Sequence, residues 1–176
     1  METILWVLFF ARLLIPLSIL KYPLWGGLAS FILDATDAWI AHLFGVDYIF
    51  TYHFVDKLMD MWYLTIMLIA SWKWEKIARN TSIVLYGWRL IGFFAFEYTG
   101  FRWLLMVFPN VFELWFFFMV VRNKFFKWFE ITKKRLIVIL VALLIPKLFH
   151  EYILHVVRFC DKSYFNYCGL EKIFRV

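Results

Sequence analysis

Apolar residues run in long blocks along the chain, and short clusters of basic residues, Gly or Pro separate the blocks. At about 20 residues per bilayer span, the pattern predicts about six helices. The first covers roughly Thr3 to Leu20 and is broken by Lys21-Tyr22-Pro23, where Pro23 suits the opening position of a second helix. That second helix runs roughly Leu24 to Phe44, and its Gly26-Gly27-Leu28-Ala29-Ser30 run permits close backbone approach. The third runs roughly Phe50 to Trp72, followed by a basic, Trp-rich link from Trp72 to Asn80 that reads as interfacial. The fourth starts near Thr81 and fades by Glu97, and Gly100 separates it from a fifth over roughly Phe101 to Val121. Arg122 to Arg135 mixes aromatics with bases and reads as a segment in the head-group zone. The sixth helix covers roughly Leu136 to Val157, with a kink expected at Pro146.

Composition sharpens this picture. The chain is 64% hydrophobic, against roughly 45–50% in soluble domains. The expected fold class is therefore all-α, a polytopic membrane bundle forming a single transmembrane domain over residues 1–176. The first apolar block lacks a small-residue cleavage pattern and reads as a retained helix. The localisation expected is integral, multi-pass, in a prokaryotic cell membrane, because the chain is short and carries no added domain. Cys160 and Cys168 sit in the tail and read as free thiols, with no disulfide framework. The net charge of +6 fits anionic membrane lipids and topology. Nucleic acid is not an expected partner, since the bases flank apolar blocks instead of forming one patch.

The candidate chemistry lies in an acidic hairpin, residues 24–72. Asp34, Asp37, Asp56 and Asp60 stand inside two apolar blocks, where each carboxylate costs about 2.5–3.5 kcal/mol on the membrane-insertion scale. Asp34 and Asp37 are three apart and share a helical face; Asp56 and Asp60 are four apart and share another. The short link around Gly45-Val46-Asp47 makes the two helices antiparallel, so the pairs can converge. Four carboxylates in one low-dielectric pocket cannot all stay ionised without cations. Their hard oxygens suit magnesium, manganese or calcium better than zinc.

The same residues resemble the pattern of the CDP-alcohol phosphatidyltransferases, D-x2-D-G-x2-A-R-x8-G-x3-D-x3-D over two consecutive helices. Asp34-x2-Asp37 matches the first pair, Ala41 the Ala, and Asp56-x3-Asp60 the second pair. The run FFARLLIPL, with Arg12 four residues before Pro16, is similar to the family's first helix. Ala38 stands where the family has Gly, His42 where it has Arg, and Tyr52 or Thr51 at the second Gly, with the gap one residue longer. The resemblance covers about the first 72 residues. It implies a transferase of phospholipid biosynthesis that moves a phosphatidyl-type group from a CDP-linked lipid to a small alcohol acceptor, releasing CMP. It further implies that Asp34, Asp37, Asp56 and Asp60 hold divalent metal, Mg2+ or Mn2+, that Asp60 also accepts the proton of the attacking hydroxyl, and that Ala38, Ala41 and His42 border the substrate. A homodimer is implied only by the same analogy.

Other polar residues carry two readings each. Arg12 reaches the acidic pocket or a substrate phosphate, or else snorkels or pairs structurally with an Asp. Lys57 meets a phosphate or forms a local ion pair, and His53 supports the Asp56 pair or merely packs. Arg89 with Glu97, and Asn110 with Glu113, line a substrate cavity or lock the bundle by hydrogen bonds; Arg89 is the candidate phosphate contact. His150, Glu151 and His155 miss the zincin spacing, because an i, i+5 pair diverges by about 140° around a helix. Bases count ten to five in favour of the side bearing Lys21 and the 122–135 segment, which faces the hairpin mouth outward, opposite to the family's cytoplasmic site. The alternatives to the transferase are a cation or proton-coupled transporter using the same carboxylates, and a catalytically inactive member of the family.

Overall fold

The computed structural model describes residues 2–43, 52–101 and 103–152, and every regular element among them is helical. The chain is all-α. Its order is α1 (Glu2–Leu14), a 3-10 segment (Ile15–Leu20), α2 (Pro23–Leu43), α3 (Tyr52–Ser71), α4 (Lys76–Thr99), α5 (Trp103–Val107), α6 (Val111–Phe125) and α7 (Lys133–Tyr152). The elements gather into two compact units, one up to Ile66 and one from Met67 onward.

In the first unit, Pro16 decides where α1 stops. Its ring nitrogen carries no N–H for the carbonyl of Arg12, so the α-helix ends at Leu14 and the chain tightens into 3-10 turns. The expected single helix over Thr3–Leu20 is thus two pieces. The carbonyls left over at its end find a partner in the indole of Trp62 on α3, which donates to the Leu13 carbonyl at 3.0 Å. Tyr22 N–H closes on the Ser18 carbonyl at 2.8 Å, and Pro23 opens α2 as expected. α2 then folds back against the 3-10 segment at Gly26. A Cβ there would stand 2.6 Å from the Ile19 backbone nitrogen and 2.7 Å from the Ser18 carbonyl carbon. Only a glycine admits that approach, and Ser30 caps it by donating to the Gly26 carbonyl at 2.8 Å. Leu8 of α1 packs with Leu5, Leu33 and Ile40 beside it.

In the second unit, α4 begins at Lys76, five residues before the expected Thr81. The start of the helix carries Lys76, Ala78 and Arg79, good helix formers that a hydropathy reading mistakes for part of a link. Gly100 ends the helix in the left-handed region, φ +71°, with its N–H on the Phe96 carbonyl. The expected fifth helix is broken: α5 stops at Val107 and α6 restarts at Val111, because Pro109 disfavours helical Phe108 and donates no N–H. Phe112, Trp115, Phe116 and Met119 of α6 are fully buried. Trp115 donates its indole N–H to the Ser82 hydroxyl at 3.1 Å, and that hydroxyl donates to the Ala78 carbonyl. α7 starts at Lys133 and continues past Pro146 to Tyr152.

Among the described residues, no helix is long and apolar enough to cross a membrane. Large apolar side chains nonetheless lie exposed along helix faces. On α7, Ile137, Val141, Ile145 and Phe149 recur every four residues; on α4, Val84, Trp88, Ile91 and Phe94 do the same at three- and four-residue steps.

Candidate functional site

One guanidinium gathers the acidic residues of the first unit. Arg12 sits in the last turn of α1, which Pro16 terminates, and is 4% exposed. Its Nη1 donates to Asp37 Oδ2 at 2.5 Å. Its Nη2 donates to Asp60 Oδ1 at 2.6 Å and also to Asp34 Oδ1. Three helices therefore meet on one cation: α1 supplies it, α2 brings Asp34 and Asp37, and α3 brings Asp60. The three-residue spacing on α2 does what helical geometry requires of it, since both carboxylates reach the same group.

Burial is uneven across the cluster. Asp37 is 2% exposed, whereas the side chains of Asp34 and Asp60 are 36% exposed. Charge is uneven too. One guanidinium faces three carboxylates, so these four side chains carry two formal negative charges when all are ionised. Arg cannot relieve this by changing its own charge, because it stays protonated in proteins. A crevice of about 10 Å³ opens beside the cluster, bordered by Pro16, Ser30, Asp34, Met59 and Tyr63. That volume is about one water molecule.

Asp34, Asp37 and Asp60 thus come together, with Arg12 as an ion-pair partner of each. Asp56 lies on α3, and Ala38, Ala41 and His42 lie on α2, with their side chains outside the described residues. The same holds for His53, His150 and Glu151, while His155 and both Cys are wholly outside. Arg89 belongs to the second unit, where its Nη1 donates to the Phe108 carbonyl at 3.0 Å and holds the break before Pro109. Asn110 and Glu113 pair at 3.3 Å at the start of α6. The Arg89 contact joins α4 to the stretch before α6, and the Asn110–Glu113 contact is local to the start of α6.

Among the described residues, no three carboxylates, His or Cys form a ready metal-ligand group. The point on which Asp34, Asp37 and Asp60 converge is held by the guanidinium. As a donor set the three carboxylates still suit a hard divalent cation, since all their ligand atoms are carboxylate oxygens. A metal and Arg12 would share these oxygens.

Two features escape a sequence reading. The Trp62 bond to Leu13, and the ion pair of Arg122 Nη1 with Glu75 Oε1 at 3.1 Å, join residues 49 and 47 apart along the chain. The local signals were an indole inside an apolar helix and a base at a helix end. Comparison of the chain with family models, with curated proteins and with solved structures returns no match.

Proposed function

We propose that the chain is a polytopic membrane protein and that the Arg12-centred cluster is the reaction centre of a CDP-alcohol phosphatidyltransferase-like enzyme. The observation that carries this reading is the convergence of Asp34 and Asp37 from α2 and Asp60 from α3 on one buried point. These are three of the four carboxylates on which the sequence resemblance rests. The exposed apolar faces of α4 and α7 support the membrane setting, because patches of that kind on soluble monomers are limited to a few hundred Å². Hydropathy along α2 and α3 is lowered by Asp34, Asp37 and Asp60, yet all three pair with the buried Arg12. Ionisable groups inside membrane helices turn inward and pair in this way.

In this reading Asp34 and Asp37, with Asp56 and Asp60 on the next helix, would hold Mg2+ or Mn2+, and Asp60 would also take the proton of the acceptor alcohol's hydroxyl. The metal would supply charge neutralisation at the diphosphate of a CDP-linked lipid. Arg12 orients Asp34, Asp37 and Asp60 by holding one oxygen of each. The crevice of about 10 Å³ admits no nucleotide, so substrate entry requires the cluster to open, with the guanidinium giving up part of its carboxylate contacts.

The test is CMP release from CDP-diacylglycerol by purified protein in detergent, with Mg2+ or Mn2+ and a panel of acceptors: glycerol phosphate, inositol phosphate and serine. The expected result is metal-dependent release that one acceptor accelerates and Asp60→Asn abolishes. Folded protein that releases no CMP with any acceptor, or an Asp60→Asn variant as active as the parent, refutes the transferase.

A further inference from the structure

The second unit contains a groove of about 540 Å³ between α6, the non-helical stretch after it and α7. It is bordered by Leu114, Phe118, Phe126, Trp128 and Leu143, with Arg122 as the one charged residue in its wall. Its size falls within the roughly 300–1,000 Å³ of ligand sites. Such a slot offers almost nothing to a polar ligand along its length and one guanidinium at its edge.

That guanidinium is only partly committed. Arg122 Nε donates to the Phe129 carbonyl at 2.7 Å, which fixes the turn following α6. Nη1 is shared between Asn123 Oδ1 at 2.9 Å and Glu75 Oε1 at 3.1 Å. Nη2 makes no hydrogen bond among the described residues. Glu75 balances part of the charge, and a second guanidinium stands beside a residue of the groove wall. Arg135 lies over the ring of Phe129, itself a groove residue, with Cζ 5.0 Å from the ring centre. Lys124 lies over Phe125 at 5.2 Å. From Arg122 to Arg135 the chain has six bases against one acid, Glu130. Trp128, 77% exposed, completes the pattern of an interfacial segment.

We propose that this groove is a binding site for an anionic phospholipid of the surrounding bilayer, one acyl chain lying against Phe118 and Leu143 and the phosphate meeting Arg122 and Arg135. The occupant follows from charge complementarity: an apolar slot takes the chain, and a basic rim at head-group level selects a negative head group over a zwitterionic one. The inference rests on the membrane setting proposed above and is independent of the transfer chemistry at Arg12.

The test is native mass spectrometry of the full chain in neutral detergent micelles, titrated with dioleoylphosphatidylglycerol or dioleoylphosphatidylcholine. Phosphatidylglycerol should be retained more strongly than phosphatidylcholine. Arg122→Gln should weaken that retention about ten- to a hundredfold, as loss of a hydrogen bond to a charged group does. Arg122 also braces the turn, so Arg135→Gln and the groove-filling Leu143→Trp serve as second variants that leave that brace alone. Both should lower phosphatidylglycerol retention, and Asp60→Asn should not change it. Equal retention of the two lipids, retention of neither, or indifference to all three groove variants overturns the proposal. Release of the protein from membranes by alkaline carbonate overturns the membrane setting as well. Failure of CMP release alone overturns only the transferase.

Discussion

Replacing Arg12 by Met keeps much of the side chain's length and removes the charge from the centre of the cluster. Asp37 then stays buried, at 2% exposure, without the guanidinium that holds it at 2.5 Å. Breaking a buried ion pair from one side costs about 3–5 kcal/mol, most of it the burden of the charge left behind. Asp34 and Asp60 add less, because side chains 36% exposed can be solvated in place, and such pairs contribute about 0–1 kcal/mol each. For a chain of this size each kcal/mol moves the midpoint by roughly 2–4 °C, so Arg12→Met should lower Tm by roughly 6–20 °C. The assay is thermal unfolding in detergent followed by far-UV circular dichroism. The double variant Arg12→Met/Asp37→Asn supplies the control. A neutral amide needs no counter-charge, so it should recover more than half of the loss. A shift of less than about 2 °C in the single variant, or no recovery in the double one, would refute the account of Asp37 as the residue that depends most on Arg12.

Packing makes further claims. Gly26→Ala places a methyl 2.6 Å from the Ile19 nitrogen, where backbone must move, and should cost about 1–3 kcal/mol; Gly87→Ala meets nothing within 4 Å and should be neutral or stabilising by up to about 1 kcal/mol. The same melting assay reads both, and equal effects would sink the argument from close approach. Ser82→Ala removes the acceptor of the buried Trp115 indole and should cost about 1–3 kcal/mol, with a shifted tryptophan emission as its second readout. Chelation by EDTA should stop CMP release and re-addition of Mn2+ should restore it; activity that persists in EDTA would remove the metal from the proposed function.

Local chemistry made much of this legible. Pro23 and Gly100 act within a few residues of themselves and set helix boundaries where the pattern expects them, whereas Pro16 ends α1 inside an apolar block that the pattern runs through. The Asp34–Asp37 spacing is likewise local, and it delivers both carboxylates to one partner. Which partner is a different kind of information. Arg12 reaches across 22, 25 and 48 residues to its three Asp, and no spacing rule connects positions that far apart. The sequence reading brings Arg12 to the acidic pocket or to an Asp, because a base inside an apolar block needs a partner, but it does not say which three Asp it meets. The break at Pro109 is hidden for the opposite reason: apolar residues continue on both sides, so hydropathy runs through it. Arg89 follows from that break, since the carbonyl it binds is Phe108's, next to a residue that donates no N–H.

The shared oxygens of Asp34, Asp37 and Asp60 tie the stability of the cluster to its proposed cation. A divalent ion binding the parent must displace at least part of the Arg12 contacts, and the cost of that displacement is subtracted from its affinity. In Arg12→Met no displacement is needed, and one positive charge is gone from the cluster. Metal should therefore bind the variant more tightly than the parent. Binding to the folded state stabilises by RT ln(1 + [L]/Kd), about 2.7 kcal/mol at a hundredfold excess over Kd. Millimolar Mn2+ should then raise the Tm of Arg12→Met by roughly 5–11 °C and raise the parent's by distinctly less. Adding Asp37→Asn should shrink the gain, because it removes a hard oxygen donor with its charge. Equal shifts in parent and variant would mean that metal binds elsewhere, and no shift in either would mean that these carboxylates serve Arg12 and hold no metal. Only the predicted order, variant above parent and both sensitive to Asp37, fits a site where a fixed organic cation and a divalent ion compete for the same three side chains.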